Sequence, residues 1–253
     1  MHDGKIVSFV EETREGVIAA LLEASGGGRL ERTTVPFKAG QADVAIIRGG
    51  AIEKASVTHM KLNQVKPPEL DCVIDYMVFQ VEIFPLNPWC PMGHFNTEWG
   101  MTGRGPYHMM LDVFPAATDP QAYAPARSAI DGVAETFGVG KEAMRAGLAD
   151  HYRMDHWGAS LAAGAGCRLM HLGPEKLDLF IAAYRAFFDG YIEVLALNRD
   201  RVYTQALVKQ KLRRNGRWLE YLTLKDVAVK MGLGVGIPAG VLVDLSYPPS
   251  AEF

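Results

Sequence analysis

Cysteine is scarce in this 253-residue chain: Cys72, Cys90 and Cys167 stand alone, and no C-x-x-C pair occurs. That excludes a disulfide framework and a paired-cysteine metal site, and an odd, unspaced count suits a reducing compartment. Charge of either sign is not in excess: 26 Lys and Arg face 29 Asp and Glu, net −3. The basic residues are dispersed apart from Lys209 to Arg217, so no nucleic-acid partner is expected. Long apolar runs are missing. The two longest, near 159–166 and 231–243, are short and glycine-rich, so no membrane span is expected. The start, Met1-His2-Asp3-Gly4-Lys5 followed by Glu11, Glu12, Arg14 and Glu15, does not read as a signal peptide, and a soluble cytoplasmic protein is the expectation. No P-loop, H-E-x-x-H, nucleophile motif or internal repeat is present. Gly232-Leu233-Gly234-Val235-Gly236 lacks a strand–loop–helix setting and precedes Pro238, so no nucleotide or flavin cofactor is expected.

What remains is a chain that is 49% hydrophobic, enough for a large core, with no linker to divide it; one domain over 1–253 is expected. Apolar spacing at Val7, Val10, Val17, Ala20, Leu21 and Leu22 predicts a helix over 6–24, ended by Gly26-Gly27-Gly28. Strand signals follow at 30–36, 43–48, 51–62 and 72–84. After Pro115 the pattern turns helical, over 119–137, 141–152, 174–197 and 204–214. Residues 217–224 and 241–245 read as strands again. Strands, then helices, then strands predict an α+β fold on an antiparallel sheet.

The densest chemistry lies between. Residues 87–99 and 108–115, joined by a glycine-rich turn from Gly100 to Gly105, read as a β-hairpin. Pairing Glu98 with His108 puts Asn96 opposite Met110 and His94 opposite Asp112, all on one face. Two imidazoles and two carboxylates on one surface suit Fe(II) or Mn(II), with His94, Glu98, His108 and Asp112 as ligands. His156 or His151, in the polar group His151-Tyr152-Arg153-Met154-Asp155-His156, would complete the sphere. The same four groups also read as two cross-strand ion pairs, His94–Asp112 and Glu98–His108, with no metal. A one-residue slip in register would scatter them.

The stretch resembles the oxygen-dependent coproporphyrinogen III oxidase family. Asn87, Pro88, Pro91, His94 and Asn96 match its N-P-x-x-P-x-x-H-x-N-x-R run, and Asp112 and Pro115 match its W-x-F-G-G-G-x-D-L-T-P run. Residues 50–57, 212–221, Asp226, Lys230, Gly232, Leu233 and the Ser246, Pro248, Pro249 ending are similar to further family motifs. The resemblance covers roughly residues 7 to 249. It implies a large antiparallel sheet covered by helices on both faces, a homodimer, and dioxygen-dependent oxidative decarboxylation. It implies Asp112, His94, Glu98 and Asn96 at the catalytic position and Arg153, Arg214, Arg217 and Trp89 toward substrate. The departures point the other way. Glu98 stands where the family has arginine, inverting local charge. His108, Met109 and Met110 replace three glycines and fill space. Val227 replaces another arginine. The expectation is therefore a dioxygen-using oxidoreductase acting on a small organic acid other than coproporphyrinogen. The alternatives are a genuine coproporphyrinogen III oxidase or a non-catalytic tetrapyrrole- or anion-binding protein.

Overall fold

Alternating and continuous runs of Val, Ile, Phe and Tyr between residues 42 and 114 favour extended backbone, because β-branched and aromatic side chains pack well on a pleated surface. In the computed structural model, which describes residues 4–66, 73–100, 105–117 and 119–253, these runs become consecutive strands of one sheet. With a flanking strand at each edge, the sheet comprises β1 (Arg29–Phe37), β2 (Gly40–Gly49), β3 (Ile52–Val65), β4 (Ile74–Pro85), β5 (Met92–Gly100), β6 (Tyr107–Phe114) and β7 (Cys167–Leu172). All pairs are antiparallel and the spatial order is the chain order, β1 to β7. Cys72, Met1 to Asp3 and the centre of the expected turn after Gly100 lie outside the described residues.

Helices cover both faces, as expected. On one side α1 (Gly4–Ser25), α2 (Ala124–Thr136) and α5 (Leu177–Asn198) pack with Val57, Phe79, Phe95 and Leu111 into one core. Gly190 of α5 lies so close to α2 that a Cβ would come within 2.9 Å of the Ala126 backbone, so a glycine is required at that contact. On the other side α4 (Leu148–His151), α6 (Gln205–Leu224), α7 (Val227–Gly234) and α8 (Ala239–Ser246) close a second core around Phe84, Met92, Phe114, Tyr152 and Trp218. The short α3 (Lys141–Arg145) is separated from α4 by Gly147, whose φ of +79° breaks the expected 141–152 helix.

Two expected strands are helices. Residues 217–224 continue α6, because Arg214, Trp218, Tyr221 and Leu222 fall on one helical stripe and are buried together. Their β-prone composition, Trp, Tyr and Thr, hid that period. Residues 241–245 belong to α8, with Val241, Leu242, Leu245 and Ser246 buried. Residues 167–172, to which no element was assigned, form β7, a six-residue edge strand that composition did not signal.

Candidate active site

The expected hairpin register holds: His94 pairs with Asp112, Asn96 with Met110 and Glu98 with His108. Extending each rung across β4 and β3 gives a polar row on the face beneath α6 to α8. Ser56, Glu82, His94 and Asp112 are successive cross-strand neighbours; Thr58, Gln80, Asn96 and Met110 form the next rung. Ser56, Glu82 and Asp112 are fully buried and His94 is 3% exposed. Charged groups this deep must be paired or hydrogen-bonded.

The pairing differs from the expected one. His94 Nδ1 lies 2.6 Å from Oε1 of Glu82, on β4, and not against Asp112. Gln80 Nε2 donates to the same Glu82 oxygen at 2.6 Å. Burial pushes the Glu82 carboxyl above its ordinary range, and His94 and Gln80 pull it part of the way back. Phe114 stacks on the His94 ring at 5.5 Å, with Tyr152 and Trp218 edge-on at 5.2 and 5.3 Å. Inside this cage His94 Nε2, Glu82 Oε2 and the Tyr152 hydroxyl have no hydrogen-bond partner among the described residues.

Asp112 is held by backbone. The amides of Gly164, Ala165 and Gly166 donate to its two oxygens at 2.9, 2.9 and 3.1 Å. Burial raises its carboxyl, and these amides oppose the rise. Gly166 is required there because a Cβ would sit 1.9 Å from the Leu111 carbonyl oxygen. Glu98 turns to β4 and β5, accepting from the Tyr76 hydroxyl and, at 2.7 Å, from Asn96 Nδ2. Neither expected cross-strand ion pair forms, because each carboxylate has a nearer donor.

The remaining expected residues separate. His156 contacts Glu220 at 2.6 Å on the surface, and His151 contacts the Tyr221 hydroxyl at 2.9 Å. Burial, with His94 nearby, lowers the His151 imidazole to about 4. Arg153 is exposed, and Arg217 is exposed over the Trp157 ring at 5.8 Å. Trp89 sits at the β4–β5 connection, its Nε1 donating to the Val202 carbonyl and Arg201 over its ring at 3.9 Å. Arg214 is buried. It donates to the Phe114 carbonyl and to Asn215 Oδ1, and its Nη2 has no partner among the described residues. Burial lowers it to about 10. Among the described residues no three His, Cys, Asp or Glu side chains converge on one point in a metal-holding arrangement. A surface depression lined by Lys38, Gln41, Lys61 and Asn63 lies at the β1–β2 turn, away from His94.

Glu82 is the residue that sequence reasoning missed. Its signal was there: a glutamate in the run Val78-Phe79-Gln80-Val81-Glu82-Ile83-Phe84, where a strand apolar on both faces has no place for an unpaired carboxylate. Chemically, a carboxylate on Nδ1 fixes the imidazole tautomer and leaves Nε2 to take or give a proton. No protein-family model matches the chain.

Proposed function

We propose that the protein is a dioxygen-using oxidoreductase that oxidises, with loss of carbon dioxide, an organic acid other than coproporphyrinogen. The observation that carries the reading is the buried Glu82–His94 contact with an unpartnered Nε2 inside an aromatic cage. Such a pair is arranged for general acid–base work, which contributes about 10²–10⁴-fold to rate. Glu82 holds the ring and balances the imidazolium; His94 Nε2 exchanges the proton. The Tyr152 hydroxyl is a second group available to hydrogen-bond substrate.

The resemblance to the coproporphyrinogen oxidase family supplies the reaction class, and the seven-stranded antiparallel sheet with helices on both faces is the architecture it implies. For a propionate side chain the balanced step is R–CH2–CH2–COO⁻ + O2 + H⁺ → R–CH=CH2 + CO2 + H2O2. The C–H and C–COO⁻ bonds break; one of their electron pairs forms the C=C bond, the other reduces dioxygen to hydrogen peroxide, and His94 handles the proton. Arg214, with a free Nη2, is the buried cation suited to the substrate carboxylate. Glu98 and the Met110 side chain, placed where the family has arginine and glycine, disfavour a macrocycle carrying four propionates. Access to His94 requires Tyr152 and Trp218 to part. Of the covering helices, α7 is lightly packed, burying only Val229 and Gly232. The same reading makes the protein a cytoplasmic homodimer; the residues expected to hold Fe(II) or Mn(II) do not converge on one point among the described residues, and no step is routed through a metal.

The test is an oxygen-electrode assay under air with anaerobically prepared coproporphyrinogen III and with single-pyrrole propionates. Oxygen uptake matched by carbon dioxide from the small acids, and little from the tetrapyrrole, is expected. Turnover of coproporphyrinogen III at the rate of an ordinary family member would overturn the substrate assignment.

A further inference from the structure

His108 belongs to neither the Glu82–His94 pair nor the Asp112 loop, and its surroundings are unusual. Tyr107 pairs with Leu172 but Met109 pairs with Leu169. One residue of β6, His108, therefore faces two of β7, Met170 and His171. That is a β-bulge, a device that re-aims a side chain at a sheet edge. His171 adopts a φ of +56°, a left-handed conformation that disfavours most side chains and points to a local role. The result is that its ring lies against that of His108, centroids 4.6 Å apart and planes at 77°. Gly105 approaches them closely. Gly105 has a φ of +87°, and a Cβ there would sit 2.1 Å from the His171 carbonyl oxygen. The Gly105 backbone also hydrogen-bonds the His108 ring, the kind of outer contact that orients a ligating imidazole.

Two imidazoles bound to one ion at about 2.0–2.1 Å and a near-tetrahedral angle place their ring centroids about 5 Å apart, close to the spacing here. We propose that His108 and His171 form a two-imidazole site for a borderline divalent ion, Zn(II), Ni(II) or Cu(II), at the β6–β7 edge. The protein supplies two donors, and solvent or an anionic ligand supplies the rest. Glu98, opposite His108, adds negative field and is not a ligand, because its carboxylate is turned to Tyr76 and Asn96. Imidazole suits these ions, whereas Mn(II) prefers oxygen donors. The site goes beyond the proposed reaction and stands or falls separately from it, since binding is read without turnover.

Tag-free full-length protein, stripped with chelator, is titrated calorimetrically with ZnCl2, NiCl2 and MnCl2, and with CoCl2 while its visible absorbance is followed. One equivalent of Zn(II) or Ni(II), binding tighter than Mn(II), is expected. His108→Ala and His171→Asn should each weaken binding at least about tenfold. Asn tolerates the left-handed backbone, so the second variant removes the ligand and keeps the bulge. His94→Gln and Asp112→Asn should leave affinity within about twofold, as independent sites do. Absence of stoichiometric Zn(II) or Ni(II) binding, unchanged affinity in His171→Asn, or dependence on His94 and Asp112 would each overturn the proposal.

Discussion

His59 gives the sharpest thermodynamic prediction. It is 8% exposed on β3, stacked on Trp99 at 5.8 Å and 22°, and its Nε2 has no partner among the described residues. Burial first, then Lys61 and Arg14, lower its imidazole from 6.5 to about 4, with Asp43 opposing them. A base whose folded value lies below its unfolded value contributes stability above the unfolded value, and that contribution is lost as pH falls toward the folded value. Between pH 7.5 and 5.0 the difference in proton binding for this shift amounts to about 2 kcal/mol. His59→Phe keeps the stack and removes the titration. Urea unfolding of both proteins at the two pH values isolates the effect, because other titrating groups cancel in the difference. The wild type should lose about 2 kcal/mol more than the variant on acidification. Equal losses would show that His59 is hydrated or paired in the folded protein and would refute the reasoning.

Other substitutions test other contacts. Gly166→Ala drives a Cβ into the Leu111 carbonyl and should cost about 3 kcal/mol in thermal or urea unfolding. Gly132→Ala, in α2 with nothing within 4 Å of the new methyl, should stabilise by about 0.5–1 kcal/mol. Lys54 is 2% exposed and donates at 2.7 Å to the carbonyls of Val243 and Tyr247 at the end of α8. Lys54→Met removes both donations, leaving Val243 only its bond from the Tyr247 amide, and should cost about 1–3 kcal/mol at pH 7, with amide exchange in α8 accelerated.

Period carried much of this structure. The α1 stripe and the β5–β6 register were legible because one face of each is apolar, and a one-residue slip would turn that face to the other side of the sheet; the 174–197 helix was legible because it is apolar nearly all round. The register placed His94, Asn96, Glu98, His108, Met110 and Asp112 on one surface correctly. Their partners were not legible, because a partner depends on which strand lies alongside. Glu82 reaches His94 only through the β4–β5 pairing, and Asp112 finds amides 52 to 54 residues later. Residues 217–224 misled because tertiary burial outweighed β propensity. β7 was invisible because six residues at a sheet edge carry too little pattern, yet its bulge is what turns His171 onto His108.

The buried Glu82–His94 pair as the proton-handling centre is tested most directly by oxygen uptake and carbon dioxide release in wild type, Glu82→Gln and His94→Gln, on the small propionate that the screen selects. Glutamine retains hydrogen bonding at both positions, so melting temperatures should stay close to wild type. Turnover should fall by about 10²–10⁴-fold in each variant, with the double variant scarcely worse than either single one, because the two residues act as a unit. Wild-type turnover in both single variants would place the chemistry elsewhere and leave the pair as a buried structural contact.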